Sequence, residues 1–332
     1  MKKSSLQLNE MPFKPHDSVL KAAVEACEHG NRYPTDGDIG ALQAALAKRF
    51  DVEPDWVAIG NGSLMILHQV MIASGQKELV YPWPSFADFP VLAEGLNMTL
   101  KPIELCEDGS CDLDKLAQAI TAKTSLVIVC TPNPPVGGVV KHQAVEQFLQ
   151  KVPARVTVLV DEAYAEFMRD KEGLRSLELV RQYSNVVVSR SFSKAYGLAG
   201  FRVGYAIAQP PLATKVRAAG VPRFQISGAA QAAAMAALAN QKEMDKRIEA
   251  IVTERSRMSK MLRALGVEVV EGHGNFIWLP VGKLAAQVKE KLAAHEVLVH
   301  AQVPFGVRVT VGTSEDTDRL QTAWRQADPL SA

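Results

Sequence analysis

The chain has 332 residues, 47% of them hydrophobic and 22% charged, enough for a large core and, since single cores rarely grow beyond roughly 250–300 residues, for two lobes. Lys plus Arg number 37 against 36 for Asp plus Glu, so no charge excess draws nucleic acid or an anionic membrane surface, and neither is expected as a partner. No segment approaches the roughly 18 uninterrupted apolar residues of a membrane helix, and the opening MKKSSLQLNEMPFKP lacks the apolar stretch of a signal peptide, which makes the cytoplasm the expected location.

In chain order, the first thirty or so residues contain no run that reads as a strand and are expected to pack on the smaller lobe or on a neighbouring subunit. From there β-branched runs alternate with helix-like stretches. WVAIG (56–60), ELVYP (78–82), SLVIVCT (125–131), VTVLVDE (156–162), NVVVSRS (185–191) and RVGYAIA (202–208) are apolar on both faces, and segments 63–74, 112–122, 141–151 and 173–183 have helical spacing. The pattern predicts an α/β fold, a mostly parallel sheet with helices on both faces. After residue 225 a long helical region (228–264) leads into VEVVEGHGNFIWLPV and VLVHAQVPFGVRVTVG, which predicts a smaller α+β lobe. The expected division is a large lobe over 34–225 and a small one made of 1–33 with 226–332. The four cysteines form no C-x-x-C pair and no His/Cys cluster has zinc spacing, so no metal site is expected.

Ligands of a parallel α/β sheet bind beyond the carboxyl ends of its strands. The residues there are Asn61-Gly62-Ser63 before a helix, Thr131-Pro132-Asn133, Asp161-Glu162-Ala163-Tyr164, and Ser189-Arg190-Ser191-Phe192-Ser193-Lys194. Taken singly, Asp161, Ser191 and Ser193 read as caps, Asn133 as turn chemistry and Lys194 as a surface lysine. Arg202, read as entering a buried strand, calls for an anionic partner. As a set they suit a lysine amine condensing with the aldehyde of pyridoxal phosphate. Burial and a neighbouring cation favour the neutral amine, N–H groups, hydroxyls and an arginine hold the phosphate, and a carboxylate holds the proton of the ring nitrogen.

SRSFSKAYGLAGFRVGYAIA closely resembles the lysine segment of fold-type I pyridoxal-phosphate aminotransferases, in particular the histidinol-phosphate and aromatic amino-acid enzymes. LNEMPF, NRYP, VDEAYAEF and PFGVRVTVGTSEDTDRL resemble further segments of that family almost end to end, and GNGSLMILHQVM and YPWPSFADFP look more like its actinobacterial aromatic branch. The resemblance implies the fold-type I architecture, a homodimer with a shared active site, and amino-acid and 2-oxo-acid substrates. It makes Lys194 the cofactor-bonding lysine and proton shuttle, pairs Asp161 with the ring nitrogen and gives Tyr164 the cofactor's phenolic oxygen. Gly62, Ser63, Leu64, Ser191, Ser193 and Arg202 would hold the phosphate, Phe86 would stack on the ring, and Tyr33 would reach the neighbouring subunit's cofactor. Arg308 would clamp the substrate carboxylate, with Asn9 and Asn275 near it. One departure is visible: where the family has Asn-Asn-Pro-Thr-Gly this chain has Asn133-Pro134-Pro135-Val136-Gly137. Either Asn133 shifts to take the missing amide's place against the phenolic oxygen, or Tyr164 acts alone.

An aromatic transaminase is therefore expected, with histidinol-phosphate transamination as the alternative and decarboxylation of an amino-acid phosphate after that. Ser191-x-x-Lys194 also matches the S-x-x-K of serine acyl-transfer enzymes, but their S-D-N and K-T-G partners are missing from the sequence.

Overall fold

The computed structural model describes residues 3–169, 173–220, 225–270 and 272–331. The chain opens with β1 (Ser4–Leu6), α1 (Asp17–Cys27), α2 (Asp36–Phe50), β2 (Val57–Gly60) and α3 (Ser63–Ala73). It continues through β3 (Glu78–Trp83), α4 (Asp88–Gly95), β4 (Thr99–Glu104), α5 (Leu113–Gln118), β5 (Thr124–Cys130) and α6 (His142–Lys151). Next come β6 (Thr157–Asp161), α7 (Ser176–Gln182), β7 (Val186–Ser191), β8 (Gly204–Ala208), α8 (Pro210–Ala218) and α9 (Gly228–Ala239). The last part holds α10 (Gln241–Ala264), β9 (Phe276–Leu279), α11 (Ala285–Ala294), β10 (Val297–Gln302), β11 (Gly306–Thr310) and α12 (Ser314–Ala327).

Seven strands form the larger sheet in the order β2-β8-β7-β6-β5-β3-β4. β5, β6 and β7 run parallel and are buried along almost their whole length, which is why they read as unbroken Val/Ile/Leu runs. β4 is the edge strand, half exposed and carrying Pro102, a residue that an edge accommodates readily. Its mixed composition hid it from the sequence pattern. β8 runs antiparallel to both neighbours, so its first residue, Gly204, lies opposite Gly60 at the end of β2 and Ser191 at the end of β7.

A four-stranded sheet, β1-β10-β11-β9, forms the second layer system. The expectation that the N-terminal segment has no strand is corrected by β1, which pairs in parallel with β10 from Ser4↔Val297 to Leu6↔Val299. Three residues, SSL, carry no periodicity; their extended form comes from the partner strand. The expected single helical region over 228–264 is two helices. Asn240 breaks it by turning its side-chain amide back to the Ala236 carbonyl at 2.7 Å and onto Ser18 Oγ at 3.0 Å. Among the described residues no helix is long and apolar enough to cross a membrane, and no cluster of His, Cys, Asp or Glu could hold a metal ion.

Candidate active site

At the ends of β5 and β6, Cys130 stands opposite Asp161 and Asp161 opposite Ser189, and β7 runs on to Ser191. This rim, the N-terminus of α3, the loop after β7 and residues 8–10 enclose a cavity of about 340 Å³. Its walls include Asn9, Ser63, Leu64, Phe86, Asp161, Tyr164, Ser191, Ser193, Lys194, Arg202 and Arg308. Leu8, Glu10, Asp88, Cys130, Pro134, Ala163 and Ala199 complete the lining.

Asp161 is buried at the strand end, where Ser189 Oγ donates to its Oδ1 at 2.9 Å. Burial pushes its carboxyl up to about 6, against the pull of the Ser189 hydroxyl and the Ala163 N–H, with no cation among the described residues close enough to bring it back down. Lys194 is half-buried; its Nζ donates to the Leu8 carbonyl at 2.9 Å and lies 5.9 Å from the Tyr164 ring centre. Burial first, then the charges of Arg308 and Arg202, bring its ammonium down to about 8. These displacements suit an amine that must be neutral to attack a carbonyl and a carboxylate that must face a ring cation.

The anion cradle follows from the sheet register. Because β8 is antiparallel, Arg202 just before it meets the turn after β2 and the loop after β7 at the same rim. Arg202 is not in a buried strand as the sequence reading had it. β8 begins at Gly204, and Arg202 stands exposed at φ 56° after a short 3₁₀ turn, donating from Nη1 to Ser193 Oγ at 3.2 Å and to the Ala199 carbonyl at 2.8 Å. Gly62, at φ 81°, approaches so closely that a Cβ there would overlap Arg202 Nη2. Helix geometry leaves the first N–H groups of α3 without intrahelical partners, and the positive end of its dipole points the same way. Ser191 Oγ accepts from the Ser193 N–H at 3.0 Å while Lys194 binds Leu8, so the serine–lysine pair of acyl-transfer enzymes does not form.

Arg308 donates from Nη2 to the Gln7 carbonyl at 2.7 Å, and its buried Nε has no partner. Burial lowers its proton affinity. An oxyanion at the open edge of the fork would satisfy both. Asn9, buried at φ 53°, donates from Nδ2 to the Tyr164 hydroxyl at 2.9 Å, and Asn275 Nδ2 donates to the Asn9 carbonyl at 3.0 Å. Phe86 meets Phe89 edge-on at 5.5 Å and turns the rest of its ring to the cavity.

Several sequence-predicted residues lie elsewhere. Asn133 does not shift into the missing amide's place: its Oδ1 accepts from Ser85 Oγ at 2.5 Å, its Nδ2 donates to the Pro84 carbonyl at 3.1 Å, and Pro134 occupies the cavity wall. Asn275 and Gly62 are not in the lining, and the Gly62 N–H, expected to hold phosphate, is given instead to the Gly60 carbonyl at 2.8 Å. Tyr33, 77% exposed, lines a separate cavity beside α9. The sequence reading missed Ser189 and Thr310 as partners of Asp161 and Asn9. His300 sits on β10 directly across from Arg308, and burial and that arginine's charge push it down to about 4. The only signal for any of the three was strand register, which composition does not carry.

The cavity fits the pyridoxal phosphate expected from sequence. It offers a buried carboxylate in want of a cation, an amine of lowered proton affinity, and a cradle of N–H groups, hydroxyls and a guanidinium closed by a glycine contact. The family model for aminotransferase class I and II matches residues 2–323. An aromatic amino acid aminotransferase of Nocardia farcinica is 42% identical over 94% of this chain and 88% of its own length. One of Cutibacterium acnes is 37% identical over 97% and 92%. The crystal structure of the histidinol-phosphate aminotransferase of Sinorhizobium meliloti in complex with pyridoxal-5′-phosphate superposes with a TM-score of 0.91 at 26% identity, over 98% of this chain and 90% of that one.

Proposed function

The chain belongs to the class I and II aminotransferases, and from that premise we propose that it moves an amino group between an aromatic amino acid of the phenylalanine or tyrosine kind and a 2-oxo acid, using pyridoxal 5′-phosphate. The observation that carries this reading is the convergence of Asp161, Lys194, Arg202 and Arg308 on one cavity. Bound pyridoxal phosphate supplies an aldehyde and a ring that draws electrons from the substrate Cα.

The chain's own residues do the rest. Asp161 would hold the ring-nitrogen proton, stabilising negative charge where it develops. Tyr164 would donate to the phenolic oxygen, without help from Asn133. Ser191, Ser193, Arg202 and the N–H groups of Ser63 and Leu64 would hold the phosphate, with Gly62 leaving room for Arg202, and Phe86 would face the ring. Arg308 would fix the substrate carboxylate through its fork. Lys194 Nζ, once displaced, would take the proton from the substrate Cα and deliver it to the carbon of the cofactor's former aldehyde, which is the transfer that leaves the amino group with the cofactor. We further infer a homodimer in which Tyr33 of the partner subunit reaches the cofactor phosphate, with 34–225 as the cofactor lobe and 1–33 with 226–332 as the smaller one.

The choice of an aromatic substrate rests on the names of the relatives and on the wall. Beyond Lys194, Arg202 and Arg308, each with a role above, the described lining has no cation for a substrate phosphate; it offers Leu8, Leu64 and Phe86 and the carboxylates Glu10 and Asp88. Histidinol phosphate is the second reading, favoured by the superposed structure. Single-turnover assays of the cofactor-loaded protein with phenylalanine and with histidinol phosphate separate them: the first is expected to react at least about tenfold faster, equivalent to ~1.4 kcal/mol.

A further inference from the structure

We infer that Thr310 is a positioning residue that sets the direction of the Tyr164 proton through Asn9, an inference that rests on the cofactor reading above. Thr310 ends β11, two residues after Arg308, so both side chains stand on the same face of the small sheet. It is buried, and its hydroxyl touches Asn9 twice: Oγ1 accepts from the Asn9 N–H at 2.9 Å and donates to Asn9 Oδ1 at 3.0 Å.

A threonine hydroxyl has one proton. Spent on Oδ1, it fixes which end of the Asn9 amide faces Thr310, and the NH₂ end is left to donate to the Tyr164 oxygen at 2.9 Å. The phenol therefore acts as acceptor toward Asn9, and its own single proton remains for the cavity side. Were the amide turned round, its oxygen would capture that proton and the phenol would have nothing to donate inward. Asn275 holds the Asn9 carbonyl, so the backbone cannot rotate away to relieve the choice. The dependence is sharper here because Pro134 offers no amide and Asn133 is committed to Ser85 and Pro84. The phenol proton then carries the donation to the cofactor's phenolic oxygen with no amide from Asn133 or Pro134 beside it.

The test is the pH midpoint of the visible absorbance band of the cofactor-loaded protein, together with cofactor affinity by titration of the stripped protein. A phenolic oxygen that loses a donor holds the proton of the lysine linkage more tightly. Thr310→Val is therefore expected to raise the midpoint by about 0.5–1 pH, the equivalent of one hydrogen bond, and to weaken cofactor binding about five- to tenfold. Thr310→Ser, which keeps the hydroxyl, should restore both. Asn9→Ala removes the amide oxygen that would capture the phenol proton, so on its own it should leave the midpoint near the wild-type value, and added to Thr310→Val it should cancel that variant's shift. Thr310→Ala, which also deletes the hydroxyl, carries the same expectation and decides the matter if Thr310→Val does not fold. The inference is overturned if Thr310→Ser shifts as far as Thr310→Val, if the folded Thr310→Val keeps the wild-type midpoint, or if the shift persists undiminished in the double variant with Asn9→Ala. A wild-type protein with no band at all would overturn the cofactor reading itself, a different outcome from an unmoved midpoint.

Discussion

Lys194 and Asp161 are displaced in opposite senses by one cause, burial: the amine comes down to about 8 and the carboxyl goes up to about 6. The signs give two predictions. Only the neutral amine attacks an aldehyde, so uptake of pyridoxal phosphate by the stripped protein should accelerate with pH and level off above about 8, as followed by stopped-flow absorbance. For Asp161 the folded chain binds its proton more tightly than the unfolded chain does, so this residue's contribution to stability falls as pH rises from about 4 through 6. Asp161→Asn removes that penalty. At pH 7.5 the cofactor-free variant should melt at the same temperature as the wild type or higher, while turnover drops at least ~100-fold; a lower melting temperature with activity retained would reverse the assignment. At this scale the sequence was informative where chemistry is carried by residue type within a motif, as at Lys194, Asp161 and Arg308. It was silent on Thr310, Ser189 and His300, whose roles come only from what register sets beside them.

Strand direction does at the level of elements what motif spacing cannot. The antiparallel course of β8 returns Arg202 to the rim where β2 and β7 end, and so builds an anion cradle from three distant segments. The apolar runs showed that these strands exist but not their order or sense, and the expected strand start at 202 was two residues early because Arg202 lies in the preceding turn. β1 and the break at Asn240 were illegible for the same reason: both depend on partners far along the chain. Gly62 is where this element-scale design is most exposed to test. Its backbone (φ 81°, ψ 162°) lies in a region essentially reserved for glycine, and a Cβ would strike Arg202. Gly62→Ala should therefore cost about 1–3 kcal/mol of stability by denaturant unfolding and weaken cofactor binding by more than tenfold. Unchanged affinity would remove the cradle from the phosphate site.

For the molecule as a whole, two sheets share one cavity, and the N-terminal segment crosses between them. The carbonyls of Gln7, Leu8 and Asn9 are held in turn by Arg308, Lys194 and Asn275. If the site is also shared between subunits, mixed dimers of Lys194→Ala and Tyr33→Phe chains will carry one intact site each and recover activity that neither parent has; recovery no greater than the sum of the parents would refute the shared site. The account as a whole is tested most directly by a half-reaction. Cofactor-loaded protein mixed with phenylalanine and no oxo acid should lose its visible band while releasing one equivalent of the 2-oxo acid per chain, and Lys194→Ala should do neither at a comparable rate. An unaltered band with no oxo acid formed, or release of carbon dioxide in its place, would contradict it.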